Sequence, residues 1–100
     1  MTNIEKKKFS TNELLIKLSG RIDVTSTPEL ENTVNSEIDS ISYLTIDMSE
    51  VDYISSVGLR ALLSFQKKIS SNGEMRIVNV KPEVLEIFKM VGFDKVLNID

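Results

Sequence analysis

Two adjacent hydroxyl groups, those of Ser55 and Ser56, follow a strand-like segment and precede a strongly helical one. A serine at the start of a helix can cap a free backbone N–H, and it lies close to the positive end of the helix dipole, which stabilises negative charge. Capping is the more common role, and for Ser56 the spacing alone favours it. Gly58 stands just inside the same helix, where glycine costs up to about 1 kcal/mol relative to alanine. We expect close packing against a sheet, or contact with a partner's backbone, to compensate for that cost.

Nucleophilic catalysis by Ser56 would require a base, and the sequence contains no histidine. Only a lysine or a carboxylate could then activate the hydroxyl. Lys67 and Lys68 lie three turns further along the helix, which is too far to serve. We therefore predict that the protein is not an enzyme.

Three carboxylates, those of Asp47, Glu50 and Asp52, precede the two serines and raise the question of a Mg²⁺ site. Such sites usually also use substrate phosphate, so we interpret the three as surface acids and predict no metal and no cofactor. Arg60 lies four residues after Ser56, on the same helix face. It could pair with a phosphate, although a solvated arginine is the more frequent case.

The elements that position these residues follow from the hydropathy pattern. Alternating apolar and polar residues predict strands over 13–19, 43–48 and 74–80. A weaker strand over 3–9 forms a hairpin with the first of them. Residues 49–55 are expected to be a connection, and Val96, Leu97 and Ile99 a short closing strand or tail.

Apolar residues at helical spacing predict three helices. The first has Ser26 or Thr27 as its cap and runs for about four turns, to Ile41. The second begins at Ser56 and stops at 70–73. The third begins at Pro82 and is followed by Gly92, in the position where a C′ glycine belongs.

The order of these elements predicts an α/β fold. Strand–helix–strand units imply parallel neighbouring strands, and their alternating pattern means that one sheet face is wetter than the other. We predict a single domain over residues 1–100, with a small mixed sheet of four to five strands and helices mainly on one face. Because parallel neighbours end at the same side of a sheet, Asp23, in the turn after the second strand, is expected beside Ser56.

The composition excludes several classes of function. The 100 residues carry a net charge of −3, which disfavours nucleic-acid binding. The N-terminus lacks a signal-peptide pattern, and no apolar stretch approaches the roughly 18 residues that a membrane span needs. We predict a cytoplasmic protein that binds neither nucleic acid nor membrane.

Several motifs resemble those of STAS domains. The family signature leads from an apolar strand and an acidic turn into Asp/Ser-Ser-x-Gly-Leu at a helix start, and here it stands as Tyr53-Ile54-Ser55-Ser56-Val57-Gly58-Leu59. Gly20-Arg21-Ile22-Asp23 is similar to the turn after the family's second strand. Leu44-Thr45-Ile46-Asp47-Met48-Ser49 is similar to its central strand, and residues 88–96 to its third helix and the glycine turn after it. The resemblance covers nearly the whole chain and is strongest to free-standing bacterial anti-sigma factor antagonists.

This resemblance implies a partner-switching function. The unphosphorylated protein would bind an anti-sigma factor with serine kinase activity and so release the sigma factor. Phosphorylation would switch binding off, and a separate metal-dependent serine phosphatase would reset the protein. Ser56 matches the phosphorylated position, and Ser55, which stands where the family often has Asp, is the second choice. The partner-binding residues implied are Asp23, Ser55, Ser56, Val57, Gly58 and Arg60.

Two alternatives remain open at this point. Asp23 could equally be a turn-stabilising residue. The chain could also be a STAS-type interaction module in a transporter-associated or lipid-transport assembly, without phosphorylation. The protein is expected to be a monomer. Many family members continue into a further helix after the last strand, and here we expect either that this helix is absent or that the third helix carries its packing role.

Overall fold

The computed structural model describes residues 3–71 and 73–100, which form one mixed sheet packed against helices. Its strands, in the spatial order β1-β2-β3-β4, are β1 (Asn3–Ser10), β2 (Glu13–Ile22), β3 (Tyr43–Ile54) and β4 (Glu74–Val78). The hairpin β1–β2 is antiparallel, whereas β2–β3 and β3–β4 are parallel. The helices that follow β2, β3 and β4 are α1 (Thr27–Asn35), α2 (Ser56–Ile69) and α3 (Pro82–Met90). This confirms the predicted α/β class and the mixed sheet.

The core lies between the helices and one face of the sheet. Alternate strand residues are fully buried there, as in Leu14, Ile16 and Leu18 of β2 and Leu44, Ile46 and Met48 of β3. The helices contribute the large side chains of Phe65 and Phe88 to the same cluster. On the outer face, Lys17 and Thr45 are half-buried and Arg76 is exposed. The expected difference between a dry and a wetter sheet face is confirmed.

The strands β2 and β3 are longer than expected, and the prediction of a connection over 49–55 was wrong. β3 continues to Ile54 because the β2–β3 pairing shifts register twice, between Lys17 and Ser19 and between Gly20 and Arg21. Each shift adds a residue to β3, so buried residues after Met48 recur at a spacing of three, at Val51 and Ile54. A β-bulge thus hides the strand from a period-two pattern.

Helix α1 is shorter than predicted. It ends at Asn35, and Ile38 lies in a separate 3₁₀ helix, Ile38–Ser40. Ser36 ends the α-helix, with its hydroxyl donating to the carbonyl of Thr33 at 2.9 Å. Short polar side chains of this kind compete with helical hydrogen bonding. Ile38 and Ile41 are still buried in the core. The apolar spacing therefore predicted the burial of these residues correctly, but not the length of α1.

The C-terminal part differs from the sequence pattern in small ways. β4 ends at Val78, not at residue 80, because Asn79 adopts a φ of 60° and turns the chain. Gly92 has a φ of 77° after α3, which confirms the C′ glycine. The closing strand is reduced to one parallel bridge, Ile77 with Ile99, after a 3₁₀ helix over Phe93–Lys95.

Gly73 lies at the point where the chain enters β4. A Cβ at this position would stand 1.8 Å from the carbonyl oxygen of Ser42, which itself accepts a hydrogen bond from the Glu74 amide at 2.8 Å. Only glycine leaves room for this approach of two backbones. The expected stop of α2 is confirmed at Ser70, its C-cap, while Asn72 lies outside the described residues.

Two lysines fix the edge strand β1 to the segment after α1. Glu37 contacts the Nζ atoms of Lys6 and Lys8, each at 2.9 Å. Hydrogen bonds from Lys6 and then Lys8 hold the pKa of Glu37 below its ordinary value of 4.5.

We expect Glu37→Gln to lower stability at pH 7 and the difference from wild type to vanish in acid. A carboxyl group whose pKa is lowered by folding stabilises the fold above its unfolded pKa. That stability is lost as the pH falls through the lower, folded pKa. Urea unfolding between pH 7 and pH 3 measures it, with the exposed Glu13→Gln as control. A difference that persists unchanged in acid would contradict this role.

Candidate functional site

The site is built at the carboxyl ends of two adjacent parallel strands. Ile22 at the end of β2 pairs with Ile54 at the end of β3, and the Ser55 amide donates to the Ile22 carbonyl at 2.8 Å. The turn that begins at Asp23 therefore lies beside the start of α2. In open α/β sheets this edge is where ligands are usually bound.

Ser55 and Ser56 have different structural roles. Ser55 is the N-cap of α2, with extended backbone and its Oγ accepting from the Gly58 amide at 3.3 Å. The interpretation of Ser56 as a capping residue was wrong, because the helix begins at Ser56 itself, one residue earlier than that interpretation requires. Ser56 is the first helical residue, it is exposed, and its side chain makes no hydrogen bond with residues 3–71 or 73–100. Its hydroxyl is thus accessible to another protein.

Gly58 is buried in the first turn of α2, against the ends of both strands. A Cβ there would approach Ile54 Cγ1 to 2.8 Å and Ile22 Cγ2 to 2.9 Å. These are branch atoms close to the backbone, so they cannot move away easily. The expected close packing against the sheet is confirmed, and it explains why a glycine occupies the start of a strong helix.

We expect Gly58→Ala to destabilise the protein by about 1 kcal/mol, although alanine is the better helix former. Overpacking against Ile22 and Ile54 outweighs the gain in helix propensity. Thermal unfolding measures the effect, and Ser64→Ala in the same helix supplies the propensity gain without the contact. A Gly58→Ala variant that is more stable than wild type would refute the packing role.

Asp23 organises its own turn. Its Oδ1 accepts from the Thr25 hydroxyl at 2.8 Å, the Thr25 amide at 3.1 Å and the Ser26 amide at 3.3 Å. The Thr25 hydroxyl is the main cause that lowers the pKa of Asp23, with burial opposing it and the amides adding to it. The geometry bears out the turn-stabilising reading. A direct role toward a partner stays a prediction.

The start of α1 depends on the same turn. Ser26 precedes α1, but its side chain does not cap the helix. Its hydroxyl accepts from the Asp23 amide at 2.9 Å instead, and the Thr27 hydroxyl donates to the Asp23 carbonyl at 2.7 Å. Hydrogen bonds within the turn therefore hold its conformation, and its tip is exposed to solvent.

Apolar and aromatic groups border the site, and sequence reasoning missed them. Val24, at the tip of the Asp23 turn, is 65% exposed, and Tyr53 is 37% exposed. The guanidinium of Arg21 lies 4.4 Å from the centre of the Tyr53 ring. Arg21 and Tyr53 face each other only because of the register shifts. The one signal in the sequence for this apolar surface was Val24, an apolar residue among the polar side chains of 23–27.

The remaining predicted residues lie on α2. Val57 is half-buried next to Ser56. Arg60 is exposed and forms no ion pair within the described part of the chain. Together with Asp23, Ser55, Ser56 and Gly58, they belong to one end of the molecule.

The three carboxylates near the site do not converge. Asp52 pairs with Lys81 at 2.7 Å and Glu50 with Lys17 at 3.7 Å. Burial opposes ionisation of Asp47, but hydrogen bonds from Ser49 and Asn79 outweigh it, so its pKa is lowered. Among residues 3–71 and 73–100, no group of three or more carboxylates is placed to hold a metal ion. Within the same residues, no helix has the length and apolar character of a membrane span.

The chain belongs to the STAS domain family, whose model matches residues 3–100. BtrV of Bordetella bronchiseptica, provisionally named an anti-sigma factor antagonist, is 32% identical over 82 residues, covering 80% of this chain and 71% of that protein. The anti-sigma-B factor antagonist of Bacillus subtilis is 24% identical over 98 residues, covering 97% and 89%. A crystal structure of an anti-sigma factor antagonist from Mycobacterium paratuberculosis superposes with a TM-score of 0.88 at 25% identity, over 99% of this chain and 85% of that one. The expected family and fold are confirmed.

Proposed function

We propose that this protein is an anti-sigma factor antagonist that is switched by phosphorylation of Ser56. The unphosphorylated form binds an anti-sigma factor with serine kinase activity and releases the sigma factor. The protein acts in the cytoplasm as a monomer, by binding and without catalysis of its own. The single observation that carries the proposal is the exposed, unbonded hydroxyl of Ser56 at the first residue of α2.

Ser56 is the better phosphate acceptor of the two serines. The hydroxyl of Ser55 is half-buried and accepts from the Gly58 amide, so its modification would cost the cap of α2. A phosphate on Ser56 would instead lie outside the helix, near its positive end. The fold can therefore accept this modification without rearrangement.

The physical effect of the phosphate falls on the partner. It adds about −1.5 to −2 charges at one point of the surface. A partner packed against Ser56 would have to bury that charge, which costs several kcal/mol unless it is compensated. A cost of about 4 kcal/mol lowers affinity roughly a thousandfold, which is enough to dissociate a complex of modest affinity. A serine phosphatase then restores binding.

The end of the sheet at which Ser56 lies carries side chains that suit a protein partner. The exposed Val24 and the Tyr53 ring stacked on Arg21 offer the apolar, aromatic and arginine contacts that dominate protein interfaces. The Lys81–Asp52 ion pair ties the loop after β4 to the end of β3 at the same edge. The free protein thus presents an ordered surface, which limits the entropy lost on docking.

The test is phosphorylation by the anti-sigma serine kinase of the same organism. The purified protein is incubated with that kinase and MgATP, and intact mass followed by fragment mapping locates the phosphate. One phosphate on Ser56, absent from Ser56→Ala and retained in Ser55→Ala, supports the proposal. An unmodified protein, or a phosphate on Ser55, would refute it. Binding without modification would instead favour a STAS module of the non-phosphorylated kind.

A further inference from the structure

One exposed side of α2 carries a line of residues that begins at Ser56. Four further residues lie in line with Ser56, within about one quadrant of the helix surface. We call them the basic stripe: Arg60, Leu63, Ser64 and Lys67. The same residues, with Lys68, line one shallow depression. The buried side of α2 is opposite, at Leu62, Phe65 and Ile69. Lys67 follows Ser56 by eleven residues, or about three turns and roughly 16 Å.

The basic stripe is positive on an acidic protein. The chain has 12 basic and 15 acidic residues, yet α2 contains three of the basic residues and none of the acidic ones. The helix α2 is therefore positive by itself, whereas the whole molecule is negative. Charge of one sign gathered on one face steers partners of opposite charge.

The cations of the basic stripe form no ion pair with any residue that the structure describes. Arg60 and Lys67 are exposed and make no ion pair with residues 3–71 or 73–100. Lys68, beside the stripe, donates to Asn35 Oδ1 at 3.1 Å and is engaged with α1. Between the two free cations, Leu63 is half-buried and packs against the core with one side. The stripe therefore combines two available charges with one partly open apolar contact.

We infer that the basic stripe docks an acidic helical segment of the anti-sigma factor, an inference that rests on the proposed function. Carboxylates at helical spacing would meet Arg60 and Lys67, and an apolar residue between them would meet Leu63. Three turns are enough for one helix to lie along another. Because the basic stripe continues the line of residues that begins at Ser56, a partner docked on the stripe would also pass over Ser56. Arg60 and Lys67 thus determine specificity, while Ser56 determines whether docking is permitted.

Charge reversal along the stripe tests the inference. The unphosphorylated protein is titrated with the anti-sigma serine kinase that modifies Ser56, in wild-type form and as Arg60→Glu and Lys67→Glu. We expect each variant to lose at least about tenfold in affinity, since like charges juxtaposed at an interface are costly. The wild-type association rate should also fall as salt rises, more steeply than that of either variant.

The matched control is Lys7→Glu, which makes the same change in charge. Lys7 is exposed and faces Leu15 on the outer side of the sheet, away from α2. Thermal melts check that all variants fold. Equal affinity of the three variants and wild type would overturn the inference and leave the proposed function standing. A wild-type protein that does not bind the kinase at any salt concentration would overturn both. Comparable binding of a random-sequence RNA, lost in Arg60→Glu, would assign the stripe to nucleic acid and overturn it as well.

Discussion

Ser56→Ala is expected to bind the anti-sigma factor whether or not ATP is present, and Ser56→Asp to bind it at least about tenfold more weakly. Alanine leaves a neutral surface that the kinase cannot modify. Aspartate places a charge at the interface that docking must desolvate, although a smaller one than a phosphate brings. Isothermal titration with and without MgATP measures both affinities.

The neighbouring serine supplies the control, because the structure separates capping from switching. Ser56→Ala should leave the free energy of unfolding nearly unchanged, since Ser56 does not cap α2. Ser55→Ala should lose about 1 kcal/mol of stability and keep a switch that responds to ATP. Equal partner affinity for Ser56→Ala and Ser56→Asp would place Ser56 outside the interface and end the proposal.

Gly73→Ala is expected to cost about 3 kcal/mol, the largest loss of stability among the substitutions considered. A Cβ at Gly73 meets the backbone of Ser42, so β4 would have to move away from β3 and weaken the Glu74–Ser42 hydrogen bond. Stabilities of small domains are about 5–15 kcal/mol, so this change removes a large part of the total. Urea unfolding followed by circular dichroism measures it.

Gly92→Asn is the comparison for that experiment. Gly92 has a φ of 77°, but apart from its two chain neighbours no described residue places an atom within 4 Å of a Cβ built there. Asparagine tolerates this backbone conformation better than other side chains do. Its effect should therefore be much smaller than that of Gly73→Ala. Similar losses at the two positions would contradict the special cost of the close approach at Gly73.

The fold was predictable wherever the strands keep a strict alternation. The buried face of these strands can be read directly from the sequence, at Leu14, Ile16 and Leu18 of β2 and at Leu44, Ile46 and Met48 of β3. The pattern fails after residue 48, because the register shifts against β2 change the spacing of buried residues to three. Bulges depend on the partner strand, which one segment of sequence cannot show.

The candidate site was predictable in its position but not in its details. Parallel strands that end together bring the Asp23 turn beside the start of α2, and topology alone requires that. The choice between Ser55 and Ser56 as the cap depends on the backbone angles of one residue, and helix boundaries shift by one or two residues in any pattern. The stacking of Arg21 on Tyr53 depends on the shifted register and had no local signal.

The isolation of the Ser56 hydroxyl also limits which proteins could detect a phosphate on Ser56. The Ser56 side chain forms no hydrogen bond in the described part of the chain. A phosphate there would therefore act through its local charge and not through a conformational change. At distances of more than a few Debye lengths, salt screens that charge. A protein that contacted only the outer face of the sheet, around Lys17 and Arg76, would therefore not detect it.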